Sequence, residues 1–351
     1  MAKLRVLVAD DSPTARMLLV SIYRRDPDIE VVGEACDGNE AVALCRTLQP
    51  DVVSMDIQMP NLDGIGATRQ IMVERATPIV IVSSLDASDV RRSLHALNAG
   101  ALMVMAKPGG PGTSSYDRDS RDLIATVKAM AQVKLVRRWP SVPPYQQVAA
   151  PALAMPRAVH GSRMVVGIAA STGGPNAVRR VLADLPLDFD TPILVVQHIA
   201  SGFSEGLASW LRDATSRPVA LAQHGEMPAR GGCYIAPDDR HLGLSPDGTL
   251  ALSDSAPVDG FRPSGSYLFM SLAALGPSAV GVILTGMGSD GLVGLRELKA
   301  RGGLVIAQDE ATSDVFGMPG AALHAGLAPV GTPLPAIAGR VVEAVRHRRT
   351  P

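Results

Sequence analysis

The stretch LRVLVADDSPTARMLLVSIY, residues 4–23, decides how the first half of the chain is read. It opens with a short apolar run, the pattern of a strand buried on both faces. Pro13 then starts a segment with helical spacing, and two acids, Asp10 and Asp11, stand at the junction. The same alternation continues outward. Strands are predicted over 4–9, 29–35, 52–55, 78–83 and 102–105, and helices over 13–25, 39–48, 64–74, 87–99 and 121–138. Such β–α repetition calls for a parallel sheet covered on both faces.

Between Trp139 and His160 the composition changes: five prolines (Pro140, Pro143, Pro144, Pro151, Pro156) accompany a single full charge, Arg157. No uninterrupted helix or central strand fits there, so 139–160 reads as a linker between 1–138 and 161–351. Strands resume over 164–170, 192–197, 231–236, 279–285 and 303–307. The expected architecture is α/β, with two doubly wound parallel-sheet domains, flavodoxin-like first and Rossmann-like second.

Composition narrows the function classes. Lys plus Arg number 33 against 34 Asp plus Glu, which leaves no basic footprint for nucleic acid. Three cysteines without a C-x-x-C suggest neither a disulfide framework nor a zinc site. No apolar run approaches the ~20 residues of a membrane helix, and no signal-peptide core precedes the first acids. A cytoplasmic, membrane-free protein is expected.

In the first half, Asp10 and Asp11 end the first predicted strand, Asp56 the third, Ser83 the fourth and Lys107 the fifth. Carboxyl ends of parallel strands share one edge of the sheet, so the three carboxylates converge and call for a divalent cation with oxygen ligands, of which Mg2+ is the best fit. Asp56 is then a carboxylate nucleophile, and Lys107 and Ser83 would hold phosphoryl oxygens. Taken singly, each acid also fits a loop residue or a helix cap, Asp11 ahead of Pro13 above all. Together, VADDS (8–12), SMDIQMPNLDG (54–64), VSS (82–84) and AKP (106–108) closely resemble the receiver domain of two-component response regulators. The resemblance implies phosphotransfer from a histidine kinase to Asp56, with Mg2+ held by Asp11, Asp56 and the Gln58 carbonyl. Val104 stands where receivers usually carry an aromatic, so the usual aromatic rotation is not implied.

In the second half, IAASTGGP (168–175) follows a strand and opens a helix, placing Ser171 at a turn like that of a nucleophile elbow. Alone it fits a phosphate-binding or structural glycine turn equally well. Of seven histidines, His198 follows the strand ILVVQ and shares the Ser171 edge, which makes it the best base. Asp290, after the strand VGVIL, is placed to orient it. Gly286, Gly288 and Gly291 also spell G-x-G-x-x-G with Asp309 and Glu310 about 20 residues on, a weak dinucleotide alternative.

The order Ser, His, Asp departs from common hydrolases. ASTGG (170–174), QH (197–198), YIAP (234–237), RPS (262–264), LTGMGSDG (284–291) and FGMP (316–319) closely resemble the CheB family of chemotaxis protein-glutamate methylesterases. The resemblance implies methyl-ester hydrolysis on chemoreceptor glutamates, release of methanol, deamidation of receptor glutamines, and inhibition by the receiver until Asp56 is phosphorylated. No cofactor is expected for hydrolysis, and the amides of Thr172 and Met287 are the oxyanion candidates. Two departures, Phe261 where a histidine is frequent and GSY (265–267) for a common VDV, are expected to lie clear of the triad.

Overall fold

The computed structural model describes residues 3–84, 87–133 and 164–349, and the chain divides into two compact units, 1–146 and 147–351. The expected linker, 139–160, lies outside the described residues. No described helix is long and apolar enough to cross a membrane.

In the first unit, β1 (Leu4–Ala9), α1 (Pro13–Tyr23), β2 (Ile29–Ala35), α2 (Gly38–Leu48), β3 (Val52–Met55), α3 (Gly64–Glu74), β4 (Ile79–Ser83), α4 (Ala87–Ala99), β5 (Met103–Ala106) and α5 (Tyr116–Met130) alternate as expected. The parallel sheet has the order β2-β1-β3-β4-β5, the flavodoxin-like arrangement. Helices lie on both faces, and Val6, Leu7, Val8 and Ala9 of β1 are wholly buried. Side chains of Ser12, Asp37 and Asp63 cap α1, α2 and α3 by accepting from amides three residues on. The cap of α1 is therefore Ser12, which leaves Asp11 exposed and available. Helix α5 starts at Tyr116, earlier than the expected 121, with Asp117 and Asp119 in a first turn that favours negative charge.

The second unit contains β6 (Val165–Ala170), α6 (Gly174–Asp184), β7 (Ile193–Gln197), α7 (Ser204–Thr215), β8 (Val219–Leu221), β9 (Cys233–Ile235), β10 (His241–Leu244), β11 (Leu250–Ser253), α8 (Gly265–Ala273), β12 (Ala279–Ile283), α9 (Leu292–Ala300), β13 (Leu304–Gln308), α10 (Met318–His324), β14 (Gly331–Thr332) and α11 (Leu334–Arg349). Seven strands pair in parallel in the order β14-β13-β12-β6-β7-β9-β8. The antiparallel hairpin β10–β11 is an addition to the expected parallel pattern. Its alternation spans only four residues per strand, too few to stand out in the sequence.

Helices α8 and α9 pack very closely. A Cβ on Gly294 of α9 would lie 2.2 Å from the Ser266 carbonyl oxygen of α8, so only glycine fits. Gly339, exposed in α11, has open space around the same position. Gly294→Ala is expected to destabilise the full-length protein by about 1–3 kcal/mol through overpacking, whereas Gly339→Ala leaves it unchanged or up to about 1 kcal/mol more stable. Chemical denaturation of both variants checks this, and equal effects would contradict the close packing.

Candidate active site and phosphoacceptor site

The strand order of the second unit reverses beside β6, whose neighbours are β7 and β12. Ligands of open α/β sheets sit in the crevice at the carboxyl ends of such a switch point. Ser171 follows β6 there, and its amide donates to the Thr285 carbonyl beyond β12 at 3.0 Å. Gly286 lets the two loops touch, since a Cβ would fall 2.7 Å from the Ser171 Cβ and 2.4 Å from the Met318 sulfur. Gly173, at φ +73°, caps α6, so Ser171 lies at a helix mouth that favours negative charge.

His198 follows β7, whose Gln197 is in register with Ala170 of β6. The Gln197 side chain joins the two loops: its Nε2 donates to the carbonyls of Ser171 and His198, at 2.8 Å each. Gly174 makes room for it, because a Cβ there would meet Gln197 Oε1 at 2.1 Å.

Asp290 is 1% exposed and accepts from His198 Nε2 at 2.9 Å, Ser264 Oγ at 2.8 Å, and the amides of Gly265, Ser266 and Gly291 at 2.6, 3.0 and 2.8 Å. Burial pushes its carboxyl up, but the hydrogen bond and charge of His198 and the amides of Ser266 and Gly265 outweigh it, holding the pKa at about 2. An ionised carboxylate only accepts, which assigns the His198 proton to Nε2 and leaves the Nδ1 lone pair open. Nδ1 is buried and has no hydrogen-bond partner among the described residues. Ser171 is likewise buried, at 8% exposure, and no hydrogen bond yet joins it to that nitrogen.

Both departures expected to lie clear of these residues in fact touch them. The Phe261 ring stacks on the His198 imidazole, centroids 4.1 Å apart and planes 4° from parallel. Gly265 and Ser266 supply two of the Asp290 amides. These contacts come from a turn and a helix start distant in sequence, and only the RPS motif ending at Ser264 hinted at them. The other histidines do other things. His241 is wholly buried, bonded to the Ala256 carbonyl at 3.1 Å and stacked on Tyr267, and His224 accepts from the Leu252 amide.

The amides of Thr172 and Met287 have no hydrogen-bond partner among the described residues. Thr172 is held by its carbonyl, which accepts from Thr285 Oγ1 at 2.9 Å, and Met287 stands 43% exposed after the fixed Gly286. Two of the three G-x-G-x-x-G glycines serve this arrangement: Gly286 abuts Ser171, Gly291 caps α9 at φ +93°, and Asp290 between them turns inward.

In the first unit, ligand oxygens of Asp10, Asp11 and Asp56 lie within 4.8 Å of one another. The Lys107 ammonium is 2.8 Å from Asp10 and 3.0 Å from Asp56. Burial pushes Asp56 up to about 6; Lys107 opposes the shift and the Asp10 charge adds to it. Three gathered carboxylates, two of them on one ammonium, form an oxygen-donor set that fits a divalent cation. Gln58 lines a cavity of about 300 Å³ with Asp11, and the Ser83 hydroxyl is buried without a partner among the described residues. Val104, in register with Ile81, is buried in β5.

A family model described as CheB methylesterase matches residues 166–341, and one described as response regulator receiver domain matches 6–113. A Myxococcus xanthus (strain DK1622) protein named protein-glutamate methylesterase/protein-glutamine glutaminase 4 is 54% identical over 345 residues, covering 98% of this chain and 97% of that protein. An Anaeromyxobacter dehalogenans (strain 2CP-C) protein named protein-glutamate methylesterase/protein-glutamine glutaminase 3 is 54% identical over 340 residues, 96% of this chain and 98% of that protein. The crystal structure of the Thermotoga maritima CheB methylesterase catalytic domain is 38% identical, with a TM-score of 0.50 over 51% of this chain and 97% of that one.

The low Asp290 pKa has a stability consequence. A carboxyl depressed from 3.8 to about 2 on folding stabilises the native state above pH ~5 and loses that contribution as pH falls toward 2. The denaturation free-energy gap between wild type and Asp290→Asn is expected to be widest above pH 5 and about 1 kcal/mol narrower at pH 3. A gap independent of pH over that range would contradict it.

Proposed function

The chain belongs to the CheB methylesterase family, with a response regulator receiver domain ahead of the catalytic one, and we propose that Ser171, His198 and Asp290 carry its ester hydrolysis. It is a protein-glutamate methylesterase, a carboxylic-ester hydrolase regulated by phosphorylation, with protein-glutamine glutaminase activity beside it. The observation that carries the residue assignment is the Nε2–Asp290 bond, which leaves Nδ1 of His198 as the open nitrogen at the Ser171 edge.

In this reading Ser171 Oγ attacks the ester carbonyl carbon of a receptor glutamate while its proton passes to His198 Nδ1. Asp290 stabilises the imidazolium so formed without taking the proton itself. The amides of Thr172 and Met287 meet the oxyanion, a contribution of about 3–4 kcal/mol per donor in comparable sites. The Nδ1 proton then goes to the departing methoxy oxygen and methanol leaves. Water, deprotonated by the same nitrogen, releases the free glutamate and restores Ser171. With a glutamine substrate the departing group is ammonia.

The receiver supplies the switch. Asp56 accepts a phosphoryl group from a histidine kinase, and Lys107 and Ser83 hold its oxygens. Asp11, Asp56 and the Gln58 carbonyl would hold Mg2+, with Asp10 as the further carboxylate of the cluster; the ion would neutralise charge on the transferring group. The unphosphorylated receiver, residues 1–138, restrains the catalytic domain, residues 161–351. Partners are methyl-accepting chemoreceptors and the kinase, and the reaction takes place in the cytoplasm.

The test is methanol release from methylated chemoreceptor membranes. Wild type is expected to release methanol, faster with a small phosphodonor and Mg2+. Ser171→Ala is expected to lose the activity by at least a thousandfold. Asp56→Asn keeps the basal rate and ignores the phosphodonor, and removal of residues 1–138 raises the basal rate. Release that survives in Ser171→Ala would overturn the nucleophile, and a phosphodonor response in Asp56→Asn would overturn the acceptor.

A further inference from the structure

Phe261 is not free to settle on His198 by chance. Its backbone pairs with Val258 in both directions, each bond 3.0 Å, across a tight turn in which Asp259 and Gly260 take φ of 54° and 84°. On one side of the turn, Asp259 accepts from Ser266 Oγ at 2.7 Å, and Ser266 in turn receives the Gly291 amide and donates its own amide to Asp290. On the other side, the Arg262 guanidinium is fixed by the Asp239 carboxylate and by the carbonyls of Asp254 and Ser255. The turn that carries the ring is thus tied to the same network that holds Asp290, the His198 partner.

The phenyl face carries the negative lobe of its quadrupole, and a cation within about 6 Å of the ring centroid is attracted to it. A neutral imidazole gains little from that field. The positive charge that His198 acquires as it takes the Ser171 proton gains more, and it does so only as the transition state is approached. We infer that Phe261 is a positioning residue of the esterase reaction, whose π face fixes the His198 ring plane and stabilises the imidazolium formed during attack. Asp290 and Phe261 then divide the work: the carboxylate acts in the imidazole plane through Nε2, and the phenyl acts on its face. A phenyl ring cannot exchange protons, so it supports the base by its face alone. The inference rests on the Ser171–His198–Asp290 assignment.

The test uses full-length protein in which Phe261 is replaced by mono-, tri- and pentafluorophenylalanine, which keep the ring's shape while draining its negative face. Phe261→Tyr and Phe261→Leu accompany the series. Methanol release is expected to lose kcat stepwise, about three- to thirtyfold by pentafluorophenylalanine, with KM unchanged. Phe261→Leu should match the pentafluoro protein and Phe261→Tyr should recover most of the wild-type kcat. A flat kcat across the fluorinated series, or a series that moves KM alone, overturns the inference while leaving the esterase reading intact. A wild type that releases no methanol brings down the esterase reading itself, a different result from an active wild type with a flat series.

Discussion

An ionised carboxylate buried to 1% exposure is tolerable only if its lone pairs are filled, and the catalytic unit is organised around meeting that demand for Asp290. Three separate segments supply the donors: His198 after β7, Ser264 to Ser266 at the head of α8, and Gly291 at the head of α9. Satisfying one charge therefore fixes the relative placement of two helices and a strand end. It also selects the imidazole tautomer, because an acceptor-only carboxylate takes the Nε2 proton and leaves Nδ1 for chemistry. The close approach of α8 and α9 at Gly294 follows from the same requirement, since both helix starts must reach Asp290.

The receiver shows the opposite treatment of buried acids. Asp290 is held at about 2 by donors on every side, whereas Asp56 rises to about 6 because burial and the neighbouring Asp10 charge outweigh Lys107. The first carboxylate is a fixed charge that serves as a template. The second belongs to an under-neutralised cluster, which fits a cation and a phosphoryl group. One chain thus holds one buried acid with every lone pair met and another set of buried acids that shares a single ammonium.

Much of this was legible in the sequence because parallel sheets gather their chemistry at strand ends. Ser171 and His198 directly follow apolar strands, Asp290 comes after the loop beyond β12, and register alone brings the first two to neighbouring strand ends. The receiver acids follow the same logic. What stayed hidden were groups that reach the site from elsewhere. Phe261 stands on an irregular turn, and Ser266 acts through its amide as much as its side chain, so neither has a periodicity to betray it. Gln197 was visible as a neighbour of His198, but its bridge between two carbonyls depends on the space that Gly174 leaves. The glycine pattern of 286–291 also spells a weak dinucleotide motif because close loop contact and phosphate binding ask for the same residue.

The nucleophile proposed is Ser171, activated by a histidine whose tautomer Asp290 sets. Mass spectrometry of the full-length protein after incubation with a fluorophosphonate, which captures an activated serine as a stable ester, tests it. A single adduct on Ser171, formed much more slowly in His198→Ala, is the predicted result. An active protein that takes the label on another residue, or labels Ser171 equally fast without His198, would overturn this assignment.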